Sequence, residues 1–342
     1  MPRFPFSTPP RIGEAIEVAP GILWARMPLP YRLDHVNVYF IADDGGWAIL
    51  DTGLAQDGCK EAWEALLGGP LAGASFTRLI VTHAHPDHIG LAGWLCGKFN
   101  IPLLTSLGSY LGCLKISLDP GAMEQEIYQQ FYRAHGMAED VAAAVRTLGH
   151  GYLRLVSPLP KTFQRIMHGD TLRIGGRDFD VLTGEGHAPE QVMLHCRDDG
   201  VFFAADEVLA KITPNIGVWS VEPDGNPLSR YMRSLRMIAE GIDDRALVLP
   251  GHHLPFHGLH GRCEELAAHH RERCDQIVEA CQERARSVAD LVPPLFPHVA
   301  DVHQLGFAFD EVHAHVNYLI DLGELEQIEV DGIRKSIASR HN

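Results

Sequence analysis

The sequence has little of what marks a secreted or membrane-anchored protein. Its seven cysteines are scattered singly, with no C-x-x-C pair, and a chain of this length does not need disulfide staples. No apolar run is long enough to span a bilayer. The N-terminus, MPRFPFSTPP, has prolines where a signal peptide needs an apolar core. These absences predict reduced, mostly buried thiols in a cytoplasmic protein.

An excess of positive charge is also missing. Acidic residues outnumber Lys and Arg by 44 to 29, which gives a formal net charge of −15. Such a surface repels phosphate backbones and anionic lipid headgroups, so neither nucleic acid nor a membrane is a predicted partner. Apolar residues make up 46% and charged residues 21% of the 342 residues, which is typical of a folded protein with one or two domains.

The order of predicted elements indicates an α/β catalytic domain. Short apolar runs with turns predict a β-meander over residues 16–53, and TRLIVT (77–82) predicts a buried strand that leads into a helix. Two amphipathic helices, 123–136 and 137–155, interrupt this alternation. We interpret the interruption, about residues 109–165, as an inserted helical cap.

The C-terminal part of the chain has a different pattern. A long helix starts near Gly261, a Pro-rich break follows at 292–297, and a last helix ends at Gly323 before a hairpin turned at Asp331-Gly332. Helices followed by a small hairpin are typical of a winged-helix-like domain. We therefore predict a catalytic domain over residues 1–260 and a helical, winged-helix-like domain over residues 261–342.

The strongest chemical signal is T-H-A-H-P-D-H at residues 82–88, directly after the TRLIVT strand. His83 and His85 are two residues apart in an extended loop, so both side chains can project to the same side. Asp87 and His88 follow a proline that ends the strand, and they can bind a second ion alongside. Four nitrogen and oxygen donors in six residues predict a metal centre.

Further ligands have to come from other parts of the chain. His187, Asp206 and His252 each follow an apolar strand. Taken singly, each could be an ordinary hydrogen-bonded loop residue. Together with the motif they make a set of seven donors. His253 competes with His252, since both lie just after Gly251.

These residues resemble the metallo-β-lactamase superfamily of hydrolases, of the H-x-H-x-D-H type, over about residues 16–260. Asp51-Thr52-Gly53 matches the first motif of that family. The resemblance implies an αββα sandwich with two divalent metal ions at one edge and Asp51 as the acid that orients the ligand loop. The implied ligands are His83, His85 and His187 for one metal, Asp87, His88 and His252 for the other, and Asp206 as the bridge.

The implied chemistry is hydrolysis. A water shared by two metal ions loses its proton near neutral pH and becomes the nucleophile, so no serine or cysteine nucleophile is needed, and we assign Asp87 and Asp206 as the catalytic carboxylates. His252 is preferred to His253 because the histidine of the family follows the glycine directly. Zinc is the default metal, and iron or manganese fit the same donors.

The ligand types narrow the reaction. Asp206, where the main antibiotic-cleaving enzymes have cysteine, resembles the thioesterase, lactonase and phosphodiesterase branches. His85 stands where the oxygen-reducing diiron branch has glutamate, which argues against redox chemistry. We predict cleavage of a thioester or lactone in a small organic substrate. Aromatic residues of the cap, Tyr128, Phe131 and Tyr132, would line an apolar acyl pocket, unless they serve only to pack the helical hairpin.

The tail leaves two alternatives open. It resembles the tail of a β-lactamase-like subgroup that includes an endoribonuclease, which would favour phosphodiester hydrolysis. Residues 287–342, however, hold nine acidic residues and only Arg334, Lys335 and Arg340 as basic ones, which is a poor match for nucleic acid. We expect the tail to pack on the catalytic domain or to form a homodimer. A metal-holding sensor that binds a protein partner is the non-enzymatic alternative.

Overall fold

A computed structural model of the protein describes residues 2–119, 121, 125–147, 151–299 and 301–339. The chain divides into two compact units, and each unit combines several separate stretches. Unit 1 consists of Met1–Asp119, Gly151–Pro214 and Met237–Cys263, and unit 2 of Pro120–His150, Asn215–Arg236 and Glu264–Asn342. The domain limits inferred from the sequence, 1–260 and 261–342, stay a prediction.

Seven strands of the described chain form one sheet in sequence order. They are β1 Ile16–Ala19, β2 Ile22–Pro28, β3 His35–Asp43, β4 Gly46–Leu50, β5 Phe76–Ile80, β6 Leu103–Thr105 and β7 Gln164–Arg165. The first four strands form the antiparallel meander that the sequence predicts. From β4 to β7 the strands run parallel, so the loops that follow β4 and β5 meet at the same edge of the sheet.

Five strands of the described chain form a second sheet. They are β8 Thr171–Ile174, β9 Arg177–Gly184, β10 Gln191–Cys196, β11 Val201–Ala205 and β12 Leu247–Pro250, arranged in the order β12-β11-β10-β9-β8. Strands β11 and β12 are parallel, and β10 is antiparallel to both β9 and β11. Strands β9, β11 and β12 therefore end at the same edge.

The two sheets of unit 1 face each other across a buried core. Trp24 and Tyr39 of the first sheet share this core with Phe179 and Phe203 of the second, and the Tyr39 and Phe203 rings meet edge to face at 5.3 Å. The opposite face of the first sheet packs on helices such as α1 Asp57–Gly68, which buries Trp63 there. The αββα sandwich expected from the resemblance is confirmed.

The other elements are mostly helical. They are α2 Pro86–Ile89, α3 Ala92–Phe99, α4 Leu107–Leu118, α5 Glu126–Ala134, α6 Glu139–Arg146, α7 Tyr152–Leu155, α8 Pro227–Gly241, α9 Leu259–Ala280, α10 Val288–Leu295, α11 Val302–Asp321, and the hairpin strands β13 Leu325–Val330 and β14 Ile333–Ala338. The predicted cap helices are shorter than expected, and residues 123, 124 and 148–150 of those helices lie outside the described residues. Helix α4 was not predicted.

Unit 2 forms around α11, which packs against α6 and α10. The sequence predicts a break at 292–297, but the chain is helical there as far as Leu295, with Pro293 and Pro294 inside α10. A capping box between Ser287 and Asp290 starts this helix, and burial of one apolar face stabilises it. The hairpin turn lies at Asp331-Gly332 as predicted, with both residues in the left-handed region.

Two findings bear on the predictions about membrane spans and cysteines. In the part of the chain that the structure describes, no helix combines the length and apolarity needed to cross a bilayer. All seven cysteines are buried, and their thiols are free. The predicted burial of the thiols is confirmed, and their reduced state stays a prediction.

Candidate metal centre

The predicted ligands lie at the strand ends where the two sheets of unit 1 share an edge. Asp51 follows β4, and the His83–His88 loop follows β5. In the second sheet, His187 follows β9, Asp206 follows β11 and His252 follows β12. Because these strands point the same way within each sheet, polar residues far apart in sequence come together at one edge.

The local chain explains how one short loop supplies four donors. His85 is extended, with φ −64° and ψ 144°, and forms the N-cap of α2, whose first residue is Pro86. Proline is well suited to this position because its missing N–H has no intrahelical partner there. Asp87 and His88 therefore lie in a helical turn, and Gly53 N donates to Asp87 O at 3.0 Å, which ties that turn to the loop after β4.

The candidate ligands form two main groups, and a third set, His83, His88 and Asp206, joins them. One ligand atom from each of His83, His85 and His187 lies within 4.8 Å of the others, and the same holds for Asp87, His88 and His252. Within the first group, His83 Nε2 lies 2.9 Å from His85 Nδ1. Within the second group, His252 Nε2 lies 3.4 Å from Asp87 Oδ2. These are the two groups that the resemblance implies.

Asp206 lies between the two groups. Its Oδ2 atom is 3.6 Å from Nε2 of His187, 3.5 Å from Nε2 of His88 and 3.1 Å from Nε2 of His252. A single carboxylate oxygen is therefore close to donors of both groups. Asp206 is 5% exposed, so little solvent surrounds this carboxylate.

Buried hydrogen bonds orient the imidazoles of the second group. Asp51 Oδ2 accepts from His88 Nδ1 at 2.8 Å, and Asp51 also accepts from the backbone N–H and the hydroxyl of Thr82, each at 2.8 Å. The carbonyl of His35 accepts from His252 Nδ1 at 2.7 Å. With a proton held on Nδ1 by these acceptors, each ring turns Nε2 toward the centre.

The backbone of the last ligand loop is held by β3. The side-chain amide of Asn37 donates to the carbonyls of Pro250 and His253, and its backbone N–H donates to Gly251 O at 2.7 Å. His35 Nε2 accepts from His253 N, which gives His253 a structural contact of its own. His252, by contrast, is the histidine in the second group of donors.

Sequence reasoning missed His35 and Asn37. The signal was present in the HVNVYF segment, where His35, Asn37 and Tyr39 occupy alternate positions of an otherwise apolar strand. Alternate residues of a strand share one face, so this polar row indicates a face that meets other polar groups. The sequence does not show that these groups are the carbonyls of residues 250–253.

The carboxylates set the charge of the second group. Burial by itself lowers the pKa of His88, but Asp206, Asp87 and Asp51 outweigh burial and raise that pKa well above its ordinary value. The pKa of His252 is raised to about 10, because Asp206 and Asp87 again outweigh burial. The three carboxylates therefore favour positive charge at these two rings.

The first group behaves differently. Burial, reinforced by the neighbouring histidines, lowers the pKa of His83 well below its ordinary value. Burial likewise lowers the pKa of His85 to about 3. These two imidazoles are neutral at physiological pH, which is the form in which histidine binds metal.

The arrangement fits divalent metal ions by an independent criterion. His88 Nε2 and Asp206 Oδ1 are buried and have no hydrogen-bond partner among the described residues, and unsatisfied buried polar atoms are costly. A Cβ atom at Gly251 would lie 2.1 Å from Asp206 Oδ1, so the close approach of this loop requires glycine. The imidazole and carboxylate donors suit zinc, iron or manganese.

The predicted pocket aromatics have other contacts. Phe131 and Tyr132 are buried in unit 2, where both rings pack on Phe309 and Phe131 also stacks on His313. This is the packing role that the sequence left as the alternative. Tyr128 is half-buried. A part for these three residues in a substrate pocket stays a prediction.

Comparisons with known proteins agree with this geometry. The sequence profile described as metallo-beta-lactamase superfamily matches residues 31–252. The profile described as metallo-beta-lactamase-like, C-terminal domain, matches residues 274–335. The chain belongs to the metallo-beta-lactamase superfamily. The fold of this superfamily implies divalent metal ions, and its members include metallo-hydrolases.

Individual relatives cover almost the whole chain. A beta-lactamase domain protein from Burkholderia ambifaria, known from a crystal structure, is 36% identical in sequence to this chain. The match covers 99% of this chain and 97% of that protein, with a TM-score of 0.89. A metallo-beta-lactamase family protein from Thermus thermophilus is 27% identical, covers 94% and 100%, and has a TM-score of 0.79. The probable metallo-hydrolase YqjP of Bacillus subtilis is 22% identical and covers 87% and 92%.

Proposed function

We propose that this protein is a metal-dependent hydrolase that binds two divalent metal ions and cleaves an acyl bond, a thioester or a lactone, in a small organic substrate. The observation that carries the proposal is the position of Asp206. Its Oδ2 atom lies 3.1–3.6 Å from Nε2 of a histidine in the first group and of two histidines in the second. An oxygen this close to both groups supports a site that two ions share.

Each part of the chain has a defined task in this proposal. His83, His85 and His187 would hold one ion, Asp87, His88 and His252 would hold the other, and Asp206 would contribute to both. Two bound divalent ions supply Lewis acidity and lower the pKa of a coordinated water. Asp51 keeps the proton of His88 on Nδ1, and the His35 carbonyl does the same for His252. Zinc is the metal we propose.

The surface of unit 2 supports a small substrate over RNA. We propose that α11 and the β13–β14 hairpin form a winged-helix-like module, but α11 has no Lys or Arg along its length. Much of that helix is buried, and the exposed residues of β13 include Glu326 and Glu329. A helix that enters a nucleic-acid groove needs an exposed basic face. We therefore propose packing or dimerisation as the role of this module.

Turnover of three substrate classes on one preparation tests the proposal. The protein is loaded with Zn²⁺, its metal content is measured, and a small thioester, a lactone and bis-p-nitrophenyl phosphate are offered in parallel. We expect two ions per chain and turnover of the thioester or the lactone. Activity on the phosphate diester alone would overturn the acyl assignment. Two bound ions with no activity on any of the three would favour a metal-holding sensor.

A further inference from the structure

The loop between His83 and His85 has one hydrogen bond that the orientation of the imidazoles does not require. Tyr152 Oη donates to the carbonyl of Ala84 at 2.6 Å. Ala84 lies between two predicted ligands of the first group, so the direction of its carbonyl fixes the peptide plane between Ala84 and His85. The side chains of His83 and His85 reach the same point only while the backbone between them keeps its present conformation.

The segment that carries Tyr152 belongs to unit 1 and is hydrogen-bonded to other loops of that unit. Leu155 O accepts from Ala55 N at 2.8 Å, and Ser157 Oγ donates to Gly90 O at 2.8 Å. Burial raises the pKa of Tyr152 above its ordinary value, so its hydroxyl remains a donor over the working range of pH.

A second tyrosine has the equivalent position at the other group. Tyr39 Oη donates to the carbonyl of Pro250 at 2.8 Å, two residues before His252. Tyr39 is 2% exposed, and its ring is fixed in the core between the sheets by Phe203. The two hydroxyls thus hold the backbones of two different ligand loops.

We infer that Tyr152 and Tyr39 are positioning residues, with Tyr152 serving the metal group of His83 and His85 and Tyr39 serving the metal group of His252. The inference rests on the proposed function, because it needs these histidines to bind metal. Partners that hydrogen-bond the ligand side chains themselves are typically worth ~10-fold to 100-fold in metal affinity, and we expect the lower end of that range for hydroxyls that hold the ligand loops through a backbone carbonyl. Each tyrosine should therefore change the affinity of one group and leave the other unchanged.

A third tyrosine supplies the matched control. Tyr110 Oη donates to the carbonyl of Pro160 at 2.8 Å, Tyr110 is 6% exposed, and its ring stacks on Phe163. Tyr110→Phe therefore removes the same kind of hydrogen bond from unit 1, but Pro160 belongs to no ligand loop. The cost in folding stability should be similar for all three Tyr→Phe variants.

Titration of the metal-free protein with Co²⁺ tests the inference without an activity assay. Spectra of His85→Ala and His252→Ala, each lacking one ligand, identify the bands of the separate groups. We expect Tyr152→Phe to bind Co²⁺ ~10-fold more weakly in the first group only, and Tyr39→Phe in the second group only. Tyr110→Phe should bind both ions as the wild type does.

Three results would overturn the inference. In one, Tyr152→Phe and Tyr39→Phe bind both ions like the wild type. In another, all three variants lose affinity at both groups, which would show a general loss of packing. In the third, the wild type fails to take up two Co²⁺ ions, which refutes the proposed function itself before any variant is compared.

Discussion

Replacing Asp51 with asparagine should weaken the second metal group without changing any ligand. Asp51 presents two oxygens to three donors, namely the backbone N–H and hydroxyl of Thr82 and the Nδ1–H of His88. An amide of the same shape has only one acceptor oxygen. If that oxygen faces Thr82 N, the amide nitrogen faces His88, whose proton must then move to Nε2. A protonated Nε2 cannot bind metal.

The size of the effect follows from the bonds that are lost. A hydrogen bond to a charged group contributes about 1.5–3 kcal/mol, and the variant loses at least one such bond from a side chain that is 4% exposed. The metal-free protein should be destabilised by about that amount. For metal binding, loss of an orienting carboxylate typically costs ~10-fold to 100-fold, which corresponds to about 1.4–2.7 kcal/mol.

Two measurements on two variants separate these effects. Urea unfolding of the metal-free protein gives the change in stability, and competition with a chromogenic chelator gives the change in metal affinity. Asp43→Asn is the matched control, because Asp43 is 3% exposed in its side chain, accepts from Thr77 Oγ1 and Gly175 N, and pairs with Arg78. This variant should lose stability only.

Equal metal affinities for Asp51→Asn and the wild type would refute the reasoning, since the tautomer of His88 would then not depend on Asp51. A loss of metal affinity in Asp43→Asn as large as that in Asp51→Asn would also refute it. In that case, general destabilisation of unit 1 would account for both variants.

Three further predictions concern two residues of the metal centre and one of unit 2. His85→Ala should lose metal and hydrolase activity together, and full metal content with full turnover would contradict the site. Asp206 raises the pKa of His252 to about 10, so a metal ion must displace a proton from this ring. Metal affinity measured by titration should therefore rise from pH 6.5 toward pH 10. An affinity that does not change with pH would contradict this prediction. Burial raises the pKa of Glu311 to about 7, so its contribution to stability is complete below about 4.5 and is lost as the pH rises through 7. Glu311→Gln should therefore make the decrease in the free energy of unfolding with rising pH smaller by about 3 kcal/mol. Chemical unfolding at several pH values between about 5 and 8 measures this decrease. The same pH dependence in the variant and the wild type would exclude Glu311 as its source.

The sequence was sufficient for the class of fold and for naming the candidate ligands that the structure brings together. Donors at fixed short spacing after a strand, as in residues 82–88, need only local geometry to converge. His187, Asp206 and His252 were recognisable because each follows a strand, and the ends of strands that point the same way share an edge. The turn at Asp331-Gly332 could also be predicted from the sequence, because two adjacent residues determine it.

Other features required the tertiary structure. The helix α10 forms through Pro293 and Pro294 because its apolar face is buried in unit 2, and burial outweighs local propensity. Phe131 and Tyr132 formed one face of an amphipathic pattern in the sequence, and that pattern cannot distinguish a substrate pocket from the Phe309 ring on which they pack.

The groups that orient the ligands show the same limit most clearly. His252 donates to the carbonyl of a residue 217 positions earlier, and Tyr152 donates to one 68 positions earlier. A carbonyl has no sequence signature, because every residue carries one. The sequence therefore determined which side chains are candidates to bind metal, and only the fold decided which backbone atoms hold them in place.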